Sequence, residues 1–344
     1  LRKRIFSKLI FYIIILLMVF ATAIKVSEIS SEPKVRDYNY INLQKIDKTK
    51  TNFTFDVFAD NKNSITTFNE LIQKVNNDNS LFAVDDGDLV FEGDKEKFMF
   101  FLDQVENLKK PLLTVIGNHE TYDEGRINYY HYFGRFYYSF HTKNSYFIML
   151  DDANETDIDP WQMSWLKEEL QKSKAYKYRF VFMHVPLFDP SFGANSKIQG
   201  HSLKCYQCAL DLNNLFDKYH ITMLFVSHIH AYYRGIWGNT PYILTGGAGA
   251  ELDGSDPAHF FYHYIKVNVS DNNVHYDVVK LDTPKLDLIN RWTHNAWIYI
   301  YAFFSINFWS LMIELGILYF FLYFLYKKKE WIVKLILKVY DKLE

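Results

Sequence analysis

The stretch "VSHIHAYYRG", residues 226–235, closes the apolar run "ITMLFVS" with His228 and His230 one residue apart. On a strand, residues i and i+2 share a side, so both imidazoles leave the chain together. A pair of exposed polar residues would show the same spacing, so the chemistry depends on what other strands bring to that edge. Four more apolar runs end in metal-competent side chains. "FTFDVFAD" ends at Asp60, "SLFAVDDGD" carries Asp88 just past a glycine, "LLTVIGNHE" ends in Asn118, His119 and Glu120, and "YRFVFMH" ends at His184. Ligand crevices of α/β sheets lie beyond the carboxyl ends of strands, so these groups can converge. Carboxylate, amide and imidazole donors together suit Zn, Mn, Fe or Ni better than Ca or Mg.

The elements that must position them follow from periodicity. Strands are expected over 53–60, 80–86, 112–117, 178–184 and 221–228, with a hairpin turning near Lys143-Asn144. A helical pattern runs from Ile65 to Val75. Asp94 caps a second helix that buries Phe98, Phe101, Leu102 and Val105, and Asp159-Pro160 opens a third. "PYILTGG", "FFYHYIKVNV" and "VHYDVVKL" add β-rich pieces at the end. The expected fold class is α/β: a four-layer α/β/β/α sandwich of two mixed sheets flanked by helices, plus terminal transmembrane helices.

In order and placement these motifs resemble those of the calcineurin-like metallophosphoesterase superfamily, D-x-H, G-D, G-N-H-[DE], H and G-H-x-H, over about residues 52–282. Here they read Asp60-Asn61-Lys62, Gly87-Asp88, Gly117-Asn118-His119-Glu120, His184 and Ser227-His228-Ile229-His230, with "YILTGGAGA" following. The resemblance implies two divalent metal ions. Asp88 would bridge them, Asp60 and His230 would complete one site, and Asn118, His184 and His228 would hold the other. It implies hydrolysis of a phosphate mono- or diester by a metal-bridging hydroxide, with His119 protonating the leaving alkoxide. Paired cations clamp a phosphoryl group and bring the pKa of a bound water toward neutrality, which is why the chemistry needs this donor set. Asn118 and Lys62 are the candidates to touch the substrate phosphate.

The sequence departs from the family pattern in three places. Ser227 replaces a glycine, which matters only if that backbone needs a positive φ. Lys62 stands where the family often has a histidine ligand, and a protonated lysine cannot bind a metal. The Asp60 side would then be completed by water, Asn61 or Asn63, while Lys62 contacts substrate phosphate or is a solvated loop lysine. A catalytically silent binding or sensor protein is the alternative this departure leaves open. Phe91 stands where purple acid phosphatases carry a tyrosine ligand, which sets the chain apart from that subgroup. Between His184 and Cys205, a long loop bearing His201 is a candidate specificity element.

The net charge of −2 gives no broad basic surface, so nucleic acid is not an expected partner. Aromatics make up 18% of the chain and crowd its C-terminal part. Residues 1–26, with Arg2, Lys3, Arg4 and Lys8 before an apolar run, read as a transmembrane anchor or a cleaved signal peptide. A linker is expected over 27–51, a catalytic domain over 52–285, a C-terminal transmembrane region over 294–326 and a basic amphipathic tail over 327–344. Trp297, Tyr299 and Tyr301 suit the outer interface and Lys327 to Lys329 the cytoplasmic one, putting the catalytic domain outside the cytoplasm. Asn307, Ser310 and Glu314 share a helix face suited to helix–helix association. Ile332, Leu335, Ile336, Val339 and Leu343 form the apolar face of the tail, against membrane lipid. The substrate would be a phosphate ester, lipid-linked or a nucleotide. Cys205 and Cys208 are expected to form a local disulfide in an oxidising compartment, a chance spacing being the alternative. N-x-S/T sequons lie at Asn52, Asn154 and Asn268.

Overall fold

The computed structural model describes residues 2–30, 35–193, 198–252, 254–285 and 287–340, with the backbone alone for 2–8, 28–30 and 332–340. In chain order the elements are α1 (Arg2–Ser30), α2 (Tyr38–Leu43), β1 (Phe53–Phe58), α3 (Thr66–Asn77), β2 (Phe82–Asp85), α4 (Lys95–Val105) and β3 (Leu112–Thr114). Then come α5 (Gly125–Phe133), β4 (Tyr138–His141), β5 (Ser145–Met149), α6 (Pro160–Ser173), β6 (Tyr178–Phe182), α7 (Tyr206–Lys218) and β7 (Met223–Val226). The last are β8 (Tyr232–Trp237), β9 (Thr240–Thr245), β10 (His263–Val269), β11 (Val274–Lys280), α8 (Leu288–Ile306) and α9 (Phe308–Tyr340). The chain divides into two compact units, Val35–Ala302 and Leu1–Lys34 with Phe303–Glu344.

The larger unit holds two mixed sheets, ordered β11-β10-β1-β2-β3 and β4-β5-β6-β7-β9-β8. Alternation along each strand decides what fills the layers. Phe55, Val57 and Val84 of the first sheet meet Phe147, Phe180, Phe182 and Phe225 of the second in the central core. Phe55 stacks on Phe82 at 5.2 Å and meets Phe180 edge-on at 5.2 Å. Each such buried ring contributes roughly 1.5–3 kcal/mol, so this aromatic seam fixes how the sheets face each other. The opposite faces carry Phe58 and Ala83 against Phe68, Phe98 and Phe133, and Val181 and Met183 against Leu166, Leu170, Leu212 and Phe216. Helices thus cover both outer faces, the four-layer arrangement expected. Asp94 caps α4 by accepting from Lys97 N, and Asp159 caps α6 at Trp161 N and Gln162 N ahead of Pro160.

Part of the stretch read as a linker is structured. Asn39 and Asn42 of α2 are buried, and their amides donate to Thr114 Oγ1 at 3.1 Å and Leu112 O at 2.9 Å. This helix covers β3, an edge strand, and is held by amides rather than an apolar stripe, so periodicity did not reveal it. The apolar region over 294–326 is not one helix either: it breaks at Asn307, between α8 and α9. Cys205 is bonded to Cys208 and is the N-cap of α7, a helix that the sequence reading did not place.

In the smaller unit α1 and α9 pair antiparallel: Phe11 lies 5.2 Å from Phe320 and Phe20 5.5 Å from Trp309. Leu9–Ser27 and Phe308–Trp331 are each long and apolar enough to cross a membrane. Gly316 faces Met18, where a Cβ would come within 2.3 Å of the sulfur. Small residues let helices approach in this way, and Glu314, two residues before, is exposed and lies off the α1–α9 contact. The side chains of Arg2, Lys3, Arg4, Lys8, Ile332, Leu335, Ile336 and Val339, and all of Leu343, lie outside the described residues.

Asp56 of β1 is wholly buried; Ser80 Oγ donates to its Oδ2, while Oδ1 has no partner. Burial, opposed by Ser80, pushes its pKa up to about 7. An unfolded aspartate titrates near ~4, so between about pH 4 and 7 the native state holds a proton that the unfolded chain releases. The stability this group contributes is complete below pH ~4 and is lost as pH rises through about 7. Urea midpoints measured from pH 5 to 8 are expected to fall with pH less steeply in Asp56→Asn than in the parent. Equal slopes would refute this assignment.

Candidate metal centre

The loops after β1, β2, β3, β6 and β7 supply the site, and their backbones are unusual. Asp60, Lys62, Asn63, Asp88 and His228 all have positive φ, between 43° and 68°. Such conformations cost of order 1–3 kcal/mol each and persist only where the surroundings impose them. Here Asp60 N donates to Gly87 O at 3.0 Å, Lys62 N to Asp88 O at 3.0 Å and Asn63 N to Leu89 O at 3.2 Å, lacing the first two loops together. The buried Glu120 carboxylate clamps the third: it accepts from Gly117 N at 2.7 Å, Asp88 N at 2.9 Å and Val90 N at 3.0 Å. Gly87 (φ 101°) must be glycine twice over, because a Cβ there would lie 2.4 Å from His184 Nδ1.

On this frame the structure brings all of the expected residues together. Candidate donor atoms of Asp88, His184 and His228, and separately of Asp60, Asp88 and His230, all lie within 4.8 Å of one another, with Asp88 in both groups. Asn118 Oδ1 joins the first group, 3.2 Å from His184 Nε2 and 2.9 Å from His228 Nδ1. His184 Nε2 is 3.1 Å from Asp88 Oδ1, and His230 Nε2 is 3.8 Å from Asp60 Oδ1. The other imidazole nitrogens are occupied: His184 Nδ1 lies 2.9 Å from Asp86 O and His230 Nδ1 2.6 Å from Glu251 O. With Nδ1 donating to those carbonyls, each Nε2 faces inward, the orientation a metal ligand needs once its proton is displaced. His119 Nδ1 lies 2.6 Å from Phe91 O, and its Nε2 stands 3.8 Å from Asp88 Oδ2.

The residues present fit a pair of cations. Asp60 Oδ1 is buried without a hydrogen-bond partner, and both Asp86 carboxylate oxygens are likewise unpaired. Asp60, Asp85, Asp86, Asp88, Glu120 and Asp152 crowd one buried region. Burial raises Asp60, Asp85 and Asp86 well above the usual carboxylate range. Burial likewise lifts Glu120 and Asp152 to about 7. For Asp88 burial also pushes upward, but His184, then His119 and Lys62, outweigh it and hold the pKa well below that range. Burial would lower His184; Asp88, Asp60 and Asp152 reverse this and hold it well above the imidazole range. His228, by burial and the neighbouring His184 charge, falls to about 3 and stays neutral, as a ligand must. Negative charge packed this densely away from water calls for cations.

Several expectations need correction. Asn61 and Asn63 turn their amide oxygens to backbone donors, not toward Asp60: Asn61 Oδ1 accepts from Asn63 N at 3.4 Å and Asn63 Oδ1 from Phe91 N at 3.0 Å. Lys62 is no solvated loop lysine; it is buried, with Nζ 3.7 Å from Asp88 Oδ2. Ser227 needs no positive φ, and its hydroxyl donates to Asp86 O at 2.6 Å beside His184 Nδ1. The His201 ring lies 6.1 Å from that of His228. Phe91 offers no oxygen from its side chain, which packs 5.8 Å from the His119 ring and 5.1 Å from Tyr299, a residue expected at a membrane interface instead.

Sequence reasoning missed the supporting groups. Neither the clamping role of Glu120 nor Asp152, which accepts from His184 N at 2.9 Å and Val185 N at 2.8 Å, was expected. The acidic pair Asp151-Asp152, ending an apolar strand beside the others, was the available signal.

Residues 53–232 match the family model described as calcineurin-like phosphoesterase. Purple acid phosphatase 23 of Arabidopsis thaliana is 27% identical over 174 residues, 43% of this chain and 36% of that protein, so the chain spans about a third of that relative's length. The likeness therefore reaches purple acid phosphatases despite Phe91. A purple acid phosphatase from yellow lupin shares the fold with a TM-score of 0.52 at 18% identity, over 67% of this chain and 52% of that one. GAP50, the anchor in the inner membrane complex of Plasmodium, does so with a TM-score of 0.51 at 14% identity, over 72% and 95%. With the match covering more than half of its length, the chain belongs to the calcineurin-like phosphoesterase family.

Proposed function

We propose that the chain is a membrane-tethered, metal-dependent phosphoesterase, with residues 52–285 as its catalytic part. The observation that carries this reading is the convergence of two donor groups on the shared Asp88, with His119 at their edge. Asp60, Asp88 and His230 would hold one divalent ion, and Asp88, Asn118, His184 and His228 a second. When bound, such a pair neutralises phosphoryl oxygens and activates a water for in-line attack. Asp88 sits where one carboxylate can serve both ions, and Asn118 borders the phosphate position. Lys62, beside Asp88, sets a fixed positive charge against an incoming phosphate oxygen. His119, anchored through Nδ1 to Phe91 O, presents Nε2 and as an imidazolium donates its proton to the departing alkoxide. α1 and α9 tether the chain, and Lys327 to Lys329 after the α9 span favour a catalytic unit outside the cytoplasm.

The test is hydrolysis of bis-p-nitrophenyl phosphate by chelator-stripped full-length protein resupplied with Mn, Zn, Fe or Ni. Turnover restored by at least one metal supports the enzyme. Ion binding without turnover under every metal would favour the silent binding protein, which the contact of Lys62 with Asp88 keeps as the second reading.

A further inference from the structure

We infer that α8 is an in-plane membrane-surface helix that brings the metal centre to the lipid headgroups, so that the substrate is a phosphate ester whose leaving alcohol is a membrane lipid. This rests on the phosphoesterase reading above. One face of α8 is tied to the catalytic unit: His294 Nε2 lies 3.1 Å from Tyr262 Oη, Ile298 is buried, and the Tyr299 ring packs on Phe91. The opposite face carries Ile289, Trp292, Trp297, Ile300 and Tyr301, at helical spacing, exposed by 74, 71, 54, 50 and 39%. An amphipathic helix normally turns such a stripe to the core; an outward apolar stripe of this kind marks a docking surface.

Chain connectivity argues for lipid as the occupant. Only residues 303–307 separate Ala302, the last residue of the catalytic unit, from α9, which is long and apolar enough to cross a bilayer. Five residues reach at most about 18 Å, so if α9 spans, the end of α8 is held near the membrane surface. Tryptophan and tyrosine beside isoleucine are the composition of that interface.

The same helix reaches the mouth of the site. Tyr299 touches Phe91, whose carbonyl holds His119, and Tyr122, 48% exposed, packs 5.4 Å from the His119 ring on another side. His119 is the group assigned to the leaving oxygen, so the departing alcohol passes an aromatic rim. Water adds to phosphorus, the bond from phosphorus to the lipid oxygen breaks, and His119 returns a proton to that oxygen; diacylglycerol and a phosphate product result.

The experiment uses full-length protein in phosphatidylcholine vesicles doped with phosphatidylglycerol or phosphatidic acid, reading diacylglycerol release beside bis-p-nitrophenyl phosphate hydrolysis. Trp292→Gln with Ile300→Gln is expected to lower lipid turnover about tenfold, from lost interfacial burial, with the soluble ester unchanged. Lipids brominated near the glycerol should quench emission from Trp292, read as the quenching that Trp292→Gln removes. Loss on both substrates alike, no loss on lipid, no quenching, or a shift in oligomeric state with the double variant would overturn the inference. If the parent protein hydrolyses neither ester under any metal, the phosphoesterase reading fails instead, and quenching still reports where α8 lies.

Discussion

Asp88→Asn is expected to lower phosphoester turnover by about a thousandfold or more while the chain stays folded. The residue has φ 56°, a left-handed conformation that asparagine tolerates as well as aspartate, so the backbone does not resist the change. His119 N, which donates to Asp88 Oδ1 at 3.1 Å, can donate equally to the amide oxygen that takes its place. What disappears is the negative charge common to both donor groups. Lewis-acid stabilisation by a metal supplies several kcal/mol, and each ~1.4 kcal/mol is tenfold in rate, which sets the scale of the loss. Metal analysis by mass spectrometry should find fewer ions per chain than in the parent, with an unchanged circular dichroism spectrum. Two retained ions and turnover within tenfold of the parent would show that Asp88 does not link the two sites.

His119→Gln separates proton donation from metal binding. General acid catalysis contributes about 10²–10⁴-fold, and only when the leaving group needs a proton. An alkyl phosphate expels a strongly basic alkoxide, whereas p-nitrophenolate departs without help. The variant should therefore lose about 10²–10⁴ in kcat on alkyl esters and little on p-nitrophenyl esters, with metal content intact. Parallel losses on both esters would assign His119 to phosphate binding or packing instead.

The residues that meet at the site were legible because each closes an apolar run, and the fold puts the ends of those runs on one edge. Asp60, Asp88, His184 and His228 could be named for that reason alone. What holds them in place was not legible. Two of the three amides on Glu120, from Asp88 and Val90, and both on Asp152 reach their carboxylates from distant parts of the chain, with no periodic trace. Helix α2 is held by Asn39 and Asn42, and polar grips of this kind look like loop in a hydrophobicity pattern. Strand β8 begins two residues after His230, too close to the histidine motif for its own alternation to stand out. The Lys62 side chain could be judged only once its buried position beside Asp88 was seen.

The clamp of Glu120 on Gly117, Asp88 and Val90 bears on how the protein matures. Because ordinary hydrogen bonds within the chain impose the strained loop conformations, the cage does not depend on metal bonds for its shape. Chelation is then expected to empty the site without melting the protein, read as an unchanged thermal unfolding midpoint.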